Sequence, residues 1–99
     1  MTDTVVIALP GFLPDAQRVA AFLGAEVIPY TPEIFTIAFS ERKRIVALMS
    51  MGIVVRKIAP LLRDKWTDPA VVVISPDFRY AVPVPGGHHG ANLLAKELA

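Results

Sequence analysis

The stretch TVVIALPG, residues 4–11, decides the fold. Residues 4–9 form a continuous apolar run rich in β-branched side chains, and Pro10 and Gly11 end it. An uninterrupted apolar run of this length is typical of a strand buried on both faces of a parallel sheet, and not of a half-exposed strand. The sequence therefore predicts a central parallel strand, with Pro10 and Gly11 in the loop that follows.

Outward from this strand, the first third of the chain predicts a β-α-β unit. Residues 15–24 favour a helix that has Pro14 near its start and Gly24 at its end. Residues 25–28 form a short second strand. The predicted apolar face of the helix comprises Val19, Ala20, Phe22 and Leu23.

Residues 31–39 suit two structures. Thr31 as an N-cap and Pro32 in the first turn favour a helix, whereas the aromatic and β-branched content suits a strand. We prefer the helix, and residues 40–44 (SERKR) are expected to form a solvated turn after it. The side chains that would share one helical face are Ile34, Phe35, Ala38 and Phe39.

The second half of the chain continues the alternation of strands and helices. Pro60 is expected to kink or shorten its first helix, and Pro83 indicates an edge strand or a strand end. The order of elements predicts a single α/β domain over residues 1–99, a three-layer α/β/α sandwich with a mostly parallel sheet and one C-terminal β-hairpin. The predicted elements are strands at 45–49, 70–75 and 78–84 and helices at 53–62 and 90–99, with Val54, Ile58, Leu61 and Leu62 on the apolar side of the first helix.

Composition excludes several classes of function. A net charge of +1 gives no general attraction to nucleic acid or to a membrane. No cysteine is present, so disulfides, zinc thiolate sites and thiol nucleophiles are excluded. Without a basic leader or a long apolar run, we expect a soluble cytoplasmic protein. The 54% hydrophobic content is high for 99 residues and makes a homodimer plausible.

Three loops are candidates for a ligand crevice, because loops at the carboxyl ends of strands gather at one side of an α/β sheet. They are residues 10–12, 50–52 and 86–90, the last after a strand that could run antiparallel. Ser50, Met51 and Gly52 precede a helix whose free N–H groups could bind a carboxylate or phosphate, with Arg56 adding charge. The alternative is that Ser50 is an N-cap and Gly52 permits a tight turn.

The loop at residues 64–69 (DKWTDP) is a weaker candidate. Two carboxylates, Lys65 and Trp66 could bind a flat ligand, but the spacing matches no metal loop. The alternative is a turn at Asp68 and Pro69, with the indole packed over the sheet.

The loop at residues 86–90 (GGHHG) holds both histidines of the chain. Glycines allow close approach to the backbone, and an imidazole can exchange a proton near neutral pH. The alternative is that the glycines end the hairpin and a histidine caps the final helix. Since adjacent histidines point to different sides of an extended chain, no metal site is expected at His88 and His89.

Residues 49–99 resemble the N-terminal domain of the cobalt-precorrin-5A hydrolase family, the CbiG-type cobalamin biosynthesis proteins. The segment MSMGIVVRKIAPLLRDKWTDPAVVVIS, the hairpin, the glycine-histidine loop and GANLLAKELA carry this resemblance. It implies a corrin-pathway protein that opens a δ-lactone on a cobalt-corrinoid intermediate and releases acetaldehyde. The implied cobalt belongs to the substrate, so no cofactor is expected, and other corrin-pathway enzymes are possible partners.

The resemblance also implies roles for individual residues. His88 or His89 would be the catalytic base. The family loop reads Gly-His-x-Gly-Gly-Ala-Asn and is one glycine shorter here, and His88 is the better match because it directly follows Gly87. Ser50, Met51 and Gly52 would face a ring carboxylate, and Arg56 would pair with another. The substrate-binding set implied in full is Gly11, Ser50, Met51, Gly52, Arg56, Lys65, Gly87, Gly90 and Asn92. A non-catalytic tetrapyrrole-binding or partner-docking module is the alternative function.

Overall fold

The computed structural model describes residues 3–63, 68–75 and 81–84. This part of the chain forms a five-stranded sheet with helices on both faces. The elements are β1 (Thr4–Ala8), α1 (Leu13–Leu23), β2 (Glu26–Pro29), α2 (Ile34–Glu41), β3 (Arg44–Leu48), α3 (Met51–Ile58), β4 (Ala70–Ile74) and β5 (Ala81–Val84). A short 3₁₀ turn at Pro10–Phe12 precedes α1, and another at Ala59–Leu61 follows α3.

The sheet has the strand order β2-β1-β3-β4-β5. The first four strands are parallel, and β5 pairs antiparallel with β4. This confirms the predicted α/β fold with its mostly parallel sheet. We call the end at which β1–β4 finish the carboxyl end of the sheet, and the opposite one the amino end.

Alternating side chains of β1 supply two separate cores, which explains the unbroken apolar run. Val6 and Ala8 face α1, whereas Val5 and Ile7 face α2 and α3, and all four are fully buried. A strand with a helix layer on each side has no solvent-facing position for a polar residue. The TVVIAL run therefore encodes the middle layer of the sandwich.

The predicted apolar face of α1 is wrong at Phe22, whose side chain is 71% exposed. The buried residues are Ala16, Val19 and Ala20, and Leu23 packs against the same core. At 100° per residue, Phe22 lies roughly 110° from the centre of that face. The hydrophobicity of Phe22 therefore predicted the wrong face of the helix for it.

The segment 31–39 is helical from Ile34 onward, and the strand alternative is wrong. The helix starts later than predicted: Thr31 is not the N-cap, because a turn in which Ile34 N–H donates to the Thr31 carbonyl precedes α2. Ile34, Phe35 and Ala38 are buried as predicted, and Phe39 is half-buried. The predicted turn at residues 40–44 is also wrong at its ends, since α2 runs to Glu41 and β3 begins at Arg44.

Pro60 shortens α3, as predicted. The α-helix ends at Ile58 and a 3₁₀ turn takes over, because proline has no N–H for the next helical bond. Val54 and Ile58 are buried and Leu61 is half-buried, but Leu62 lies beyond the turn and is 38% exposed. Within the described ranges, no helix is long and apolar enough to cross a membrane. The helix predicted at residues 90–99 lies outside the described residues.

Gly24 caps α1 in the left-handed region, with φ 66°. Gly24→Ala should lower the free energy of unfolding by about 1 kcal/mol, because an L-residue pays the backbone cost of positive φ. A Cβ there would contact nothing within 4 Å, so no clash adds to this cost. Urea denaturation measures the loss. Gly11→Ala is the control, since Gly11 has equal space and no positive φ, and an equal loss in both variants would contradict the explanation.

Candidate functional site

Two of the predicted loops flank the point at which the strand order of the sheet reverses. From β1 the chain crosses through α1 to β2 on one side, whereas β3, its other neighbour, leads through α3 to β4 on the opposite side. The loops after β1 and β3 therefore leave adjacent strands towards opposite faces, and such a switch point forms the ligand crevice of open α/β sheets. Ala8 pairs with Leu48, so Gly11 and Ser50–Gly52 follow strand ends at the same level.

The start of α3 offers backbone donors at this crevice. Met49 is fully buried and Ser50 is exposed, so the chain leaves the core in one step. Ser50 occupies the N-cap position, but its side chain makes no capping hydrogen bond. The first helical bond runs from Val54 N–H to the Ser50 carbonyl at 3.3 Å. The N–H groups of the first turn therefore have no helical partner and carry the positive end of the helix dipole.

The space above this first turn is open. Gly52 is exposed, it does not have a positive φ, and a Cβ on it would meet nothing within 4 Å. The interpretation that Gly52 permits a tight turn therefore finds no support in its backbone. Arg56 is exposed one turn later on the same face, and helical side chains slant towards the N-terminus. Arg56 thus lies one helical turn from Gly52 on the same exposed face.

Tyr30 lies at the same end of the sheet as the crevice, and it is not among the predicted site residues. It follows β2 directly, and its N–H donates to the Ala8 carbonyl at 2.9 Å, which ties the end of β2 to β1. Its ring packs at 6.5 Å, tilted by 57°, against the buried Phe35. The sequence signal that could have identified Tyr30 is an aromatic residue immediately after a strand.

Arg63 and Asp68, the described residues on either side of Lys65, lie at the amino end of the sheet, away from the crevice. The Arg63 N–H donates to Asp68 Oδ2 at 2.8 Å. Lys65 and Trp66 themselves lie outside the described residues. Arg63 and Asp68 therefore lie at the end of the sheet opposite the switch point.

The strand that leads to the histidines also ends at the amino end. Val84 pairs with Val71, near the start of β4, because β5 runs antiparallel. The predicted C-terminal β-hairpin is thus confirmed, and with it the alternative that the strand before the third loop runs antiparallel: β5 ends at the amino end of the sheet, opposite the ends of β1 and β3. His88, His89, Gly87, Gly90 and Asn92 lie outside the described residues, and their roles stay predictions.

No group of three His, Cys, Asp or Glu side chains that could hold a metal occurs in the ranges 3–63, 68–75 and 81–84. The described residues place Gly11 and Ser50–Gly52 after the ends of two neighbouring strands, with Arg56 one helical turn further. Such an arrangement can bind a carboxylate or stabilise an oxyanion through backbone N–H groups.

Comparison with known proteins gives concordant matches. The family "Cobalamin synthesis G N-terminal" matches residues 33–99. The chain is 48% identical over 62 residues to a cobalt-precorrin-5A hydrolase of Priestia megaterium, and 41% identical over 63 residues to that of Salmonella typhimurium. A solved cobalamin biosynthesis protein G homologue from Sulfolobus solfataricus has a TM-score of 0.81 and 28% identity.

The relatives are much longer than this chain. The alignments cover 62% and 63% of the chain but only 17% and 18% of the two hydrolases. The structural match covers 96% of the chain and 32% of the Sulfolobus protein. The chain therefore corresponds to a minor part of each relative.

Proposed function

Because the chain belongs to the cobalamin synthesis G N-terminal family, we propose that it acts in cobalamin biosynthesis as the N-terminal part of a cobalt-precorrin-5A hydrolase. The proposed substrate is a cobalt-corrinoid intermediate that carries a δ-lactone. The proposed products are the opened ring and acetaldehyde. Cobalt enters as part of the substrate, and no further cofactor is proposed.

The observation that carries this proposal is the uncapped start of α3 at the switch point. A corrinoid intermediate carries several carboxylates, and free N–H groups with a nearby guanidinium are the donors that bind such groups. Gly11 and Gly52 leave room for a large ligand to approach the backbone. We therefore assign this crevice to one carboxylate-bearing edge of the macrocycle.

Lactone opening requires three contributions in addition to binding. A base removes a proton from water, the resulting hydroxide adds to the lactone carbonyl carbon, and the ring C–O bond breaks to give a carboxylate and a hydroxyl. Hydrogen-bond donors other than those that bind the ring carboxylate stabilise the tetrahedral oxyanion. The proposed base is His88 or His89, which returns the proton to the leaving alkoxide oxygen. Acetaldehyde release then requires a second step, in which the C–C bond between the hydroxyl-bearing carbon and the macrocycle breaks. The hydroxyl loses its proton as its carbon becomes the aldehyde carbon, and the electron pair of the broken bond takes up a proton at the ring carbon.

The test is acetaldehyde release from cobalt-precorrin-5A. We expect release when the chain is combined with the remaining domains of a family hydrolase, and loss of about 10²-fold or more in rate when the base is removed by His88→Ala. His89→Ala is the matched control and should have the smaller effect. Equal rates in the native chain and both variants would contradict the base assignment, and no acetaldehyde in any combination would contradict the hydrolase proposal.

A second candidate function is a non-catalytic module that holds the tetrapyrrole or docks to another pathway enzyme or to a second copy. The observation that favours it is the antiparallel β5, which leads towards the histidines from the end of the sheet opposite the start of α3. Corrinoid binding without turnover, even with the remaining domains present, would favour this function over the first.

A further inference from the structure

We propose that Tyr30 is a substrate contact, whose hydroxyl donates a hydrogen bond to a second peripheral carboxylate of the corrinoid bound at the start of α3. This inference rests on the proposed function, because it takes the corrinoid as the ligand. Tyr30 follows β2 at the carboxyl end of the sheet, which is the end that holds the candidate crevice.

The pairing of the strands fixes where Tyr30 lies relative to α3. Ala8 pairs with Pro29 on one side and with Leu48 on the other, and the Tyr30 N–H donates to the Ala8 carbonyl at 2.9 Å. Tyr30 and the residue after Leu48 therefore lie at the same level of the sheet, one on each side of β1. Two strand spacings of about 4.8 Å each place Tyr30 roughly 10 Å from the chain that enters α3.

The ring of Tyr30 is anchored on the core. It packs on the same face of the sheet as α2 and α3, and its centroid lies 6.5 Å from that of the buried Phe35. Tyr30 as a whole is half-buried. Because a tyrosine side chain has only two torsions, this packing fixes the direction of the hydroxyl and lowers the entropy cost of a contact with a ligand.

The hydroxyl of Tyr30 is available to a ligand. It makes no hydrogen bond within the described part of the chain. It is also not one of the buried polar atoms that lack a partner there, so it reaches solvent. A phenol O–H is a donor, and its hydrogen bond to a carboxylate belongs to the short, strong class.

Apolar surface lies between this hydroxyl and the N–H groups of α3. Leu9, directly after β1, and Ile53, in the first turn of α3, are half-buried and pack on the same core as Tyr30. Apolar surface with a few polar groups at its edge is typical of sites for ring-shaped ligands. A small carboxylic acid does not reach both donors across roughly 10 Å, whereas a four-ring macrocycle with carboxylates on its periphery does.

The test is a calorimetric titration of the chain with cobalt-precorrin-5A, which requires no turnover. Tyr30→Phe should raise Kd at least about tenfold, the size expected for the loss of a hydrogen bond to a charged group. The variant keeps the ring and its packing on Phe35, so urea denaturation should find its stability nearly unchanged. Thr31→Val is the matched control, since it removes the neighbouring exposed hydroxyl without a change of shape, and its Kd should be that of the native chain.

The outcomes separate Tyr30 from the proposed function. An unchanged Kd for Tyr30→Phe, or an equal rise for Thr31→Val, would overturn the Tyr30 contact and leave the corrinoid assignment in place. Absence of saturable binding by the native chain would overturn both. Tenfold weaker binding by Tyr30→Phe, with no acetaldehyde released in any combination of domains, would support the contact and contradict only the hydrolase reaction.

Discussion

Gly52→Asp is expected to weaken corrinoid binding at least about tenfold while it stabilises the protein. A carboxylate at the second position of α3 would face the same free N–H groups that the proposed site offers to the substrate. Juxtaposed like charges cost several kcal/mol across an interface, and the substrate carries many carboxylates. The same carboxylate interacts favourably with the helix dipole, by about 0.3–1 kcal/mol. Binding and stability should therefore change in opposite directions.

Two controls isolate the charge at that position. Gly52→Asn adds a side chain of the same shape without the charge, and a Cβ at Gly52 meets nothing within 4 Å, so its loss of affinity should be much smaller. Ala59→Asp adds the same charge at the exposed opposite end of α3 and should not affect binding. Calorimetric titration with cobalt-precorrin-5A gives Kd, and urea denaturation gives stability. An unchanged Kd for the Gly52→Asp variant would contradict the proposal that the first turn of α3 binds a substrate carboxylate.

The sheet was predictable because burial on both faces leaves a direct trace in sequence. The runs at residues 5–9, 45–49 and 70–74 are apolar throughout, and each corresponds to a buried parallel strand. Helix boundaries were less predictable, because hydrogen bonds made outside the helix decide them. At Thr31 the capping signal was present, but a turn formed first and α2 began three residues later.

The candidate site was predictable only in part, because strand direction decides where a loop lies. The loops at Gly11 and Ser50–Gly52 follow parallel strands, so their shared position was inferable from the alternation of strands and helices. The predicted β-hairpin already made β5 antiparallel, as the structure has it, so β5 ends at the opposite end of the sheet from these two loops.

Phe35→Ala is expected to lower the free energy of unfolding by about 3–5 kcal/mol, the range for removing a buried aromatic ring. Phe35 is 1% exposed and belongs to the core that joins β1, β3 and β4 to α2 and α3. It also contacts the ring of Tyr30, so the loss extends to the carboxyl end of the sheet. A domain of this size has about 5–15 kcal/mol of total stability, so this variant should lose a large fraction of it.

Ile37→Ala on the same helix is the matched control. Its side chain is 50% exposed, so truncation should cost about 1 kcal/mol or less. The contrast discriminates the helix from the strand alternative for this segment. In a strand, residues 35 and 37 would lie on the same face because side chains alternate with period two, and both truncations would be costly or both cheap. In a helix they lie 200° apart. Chemical denaturation of both variants therefore tests whether this segment is a helix. Equal losses of unfolding free energy in the two variants would contradict the helix.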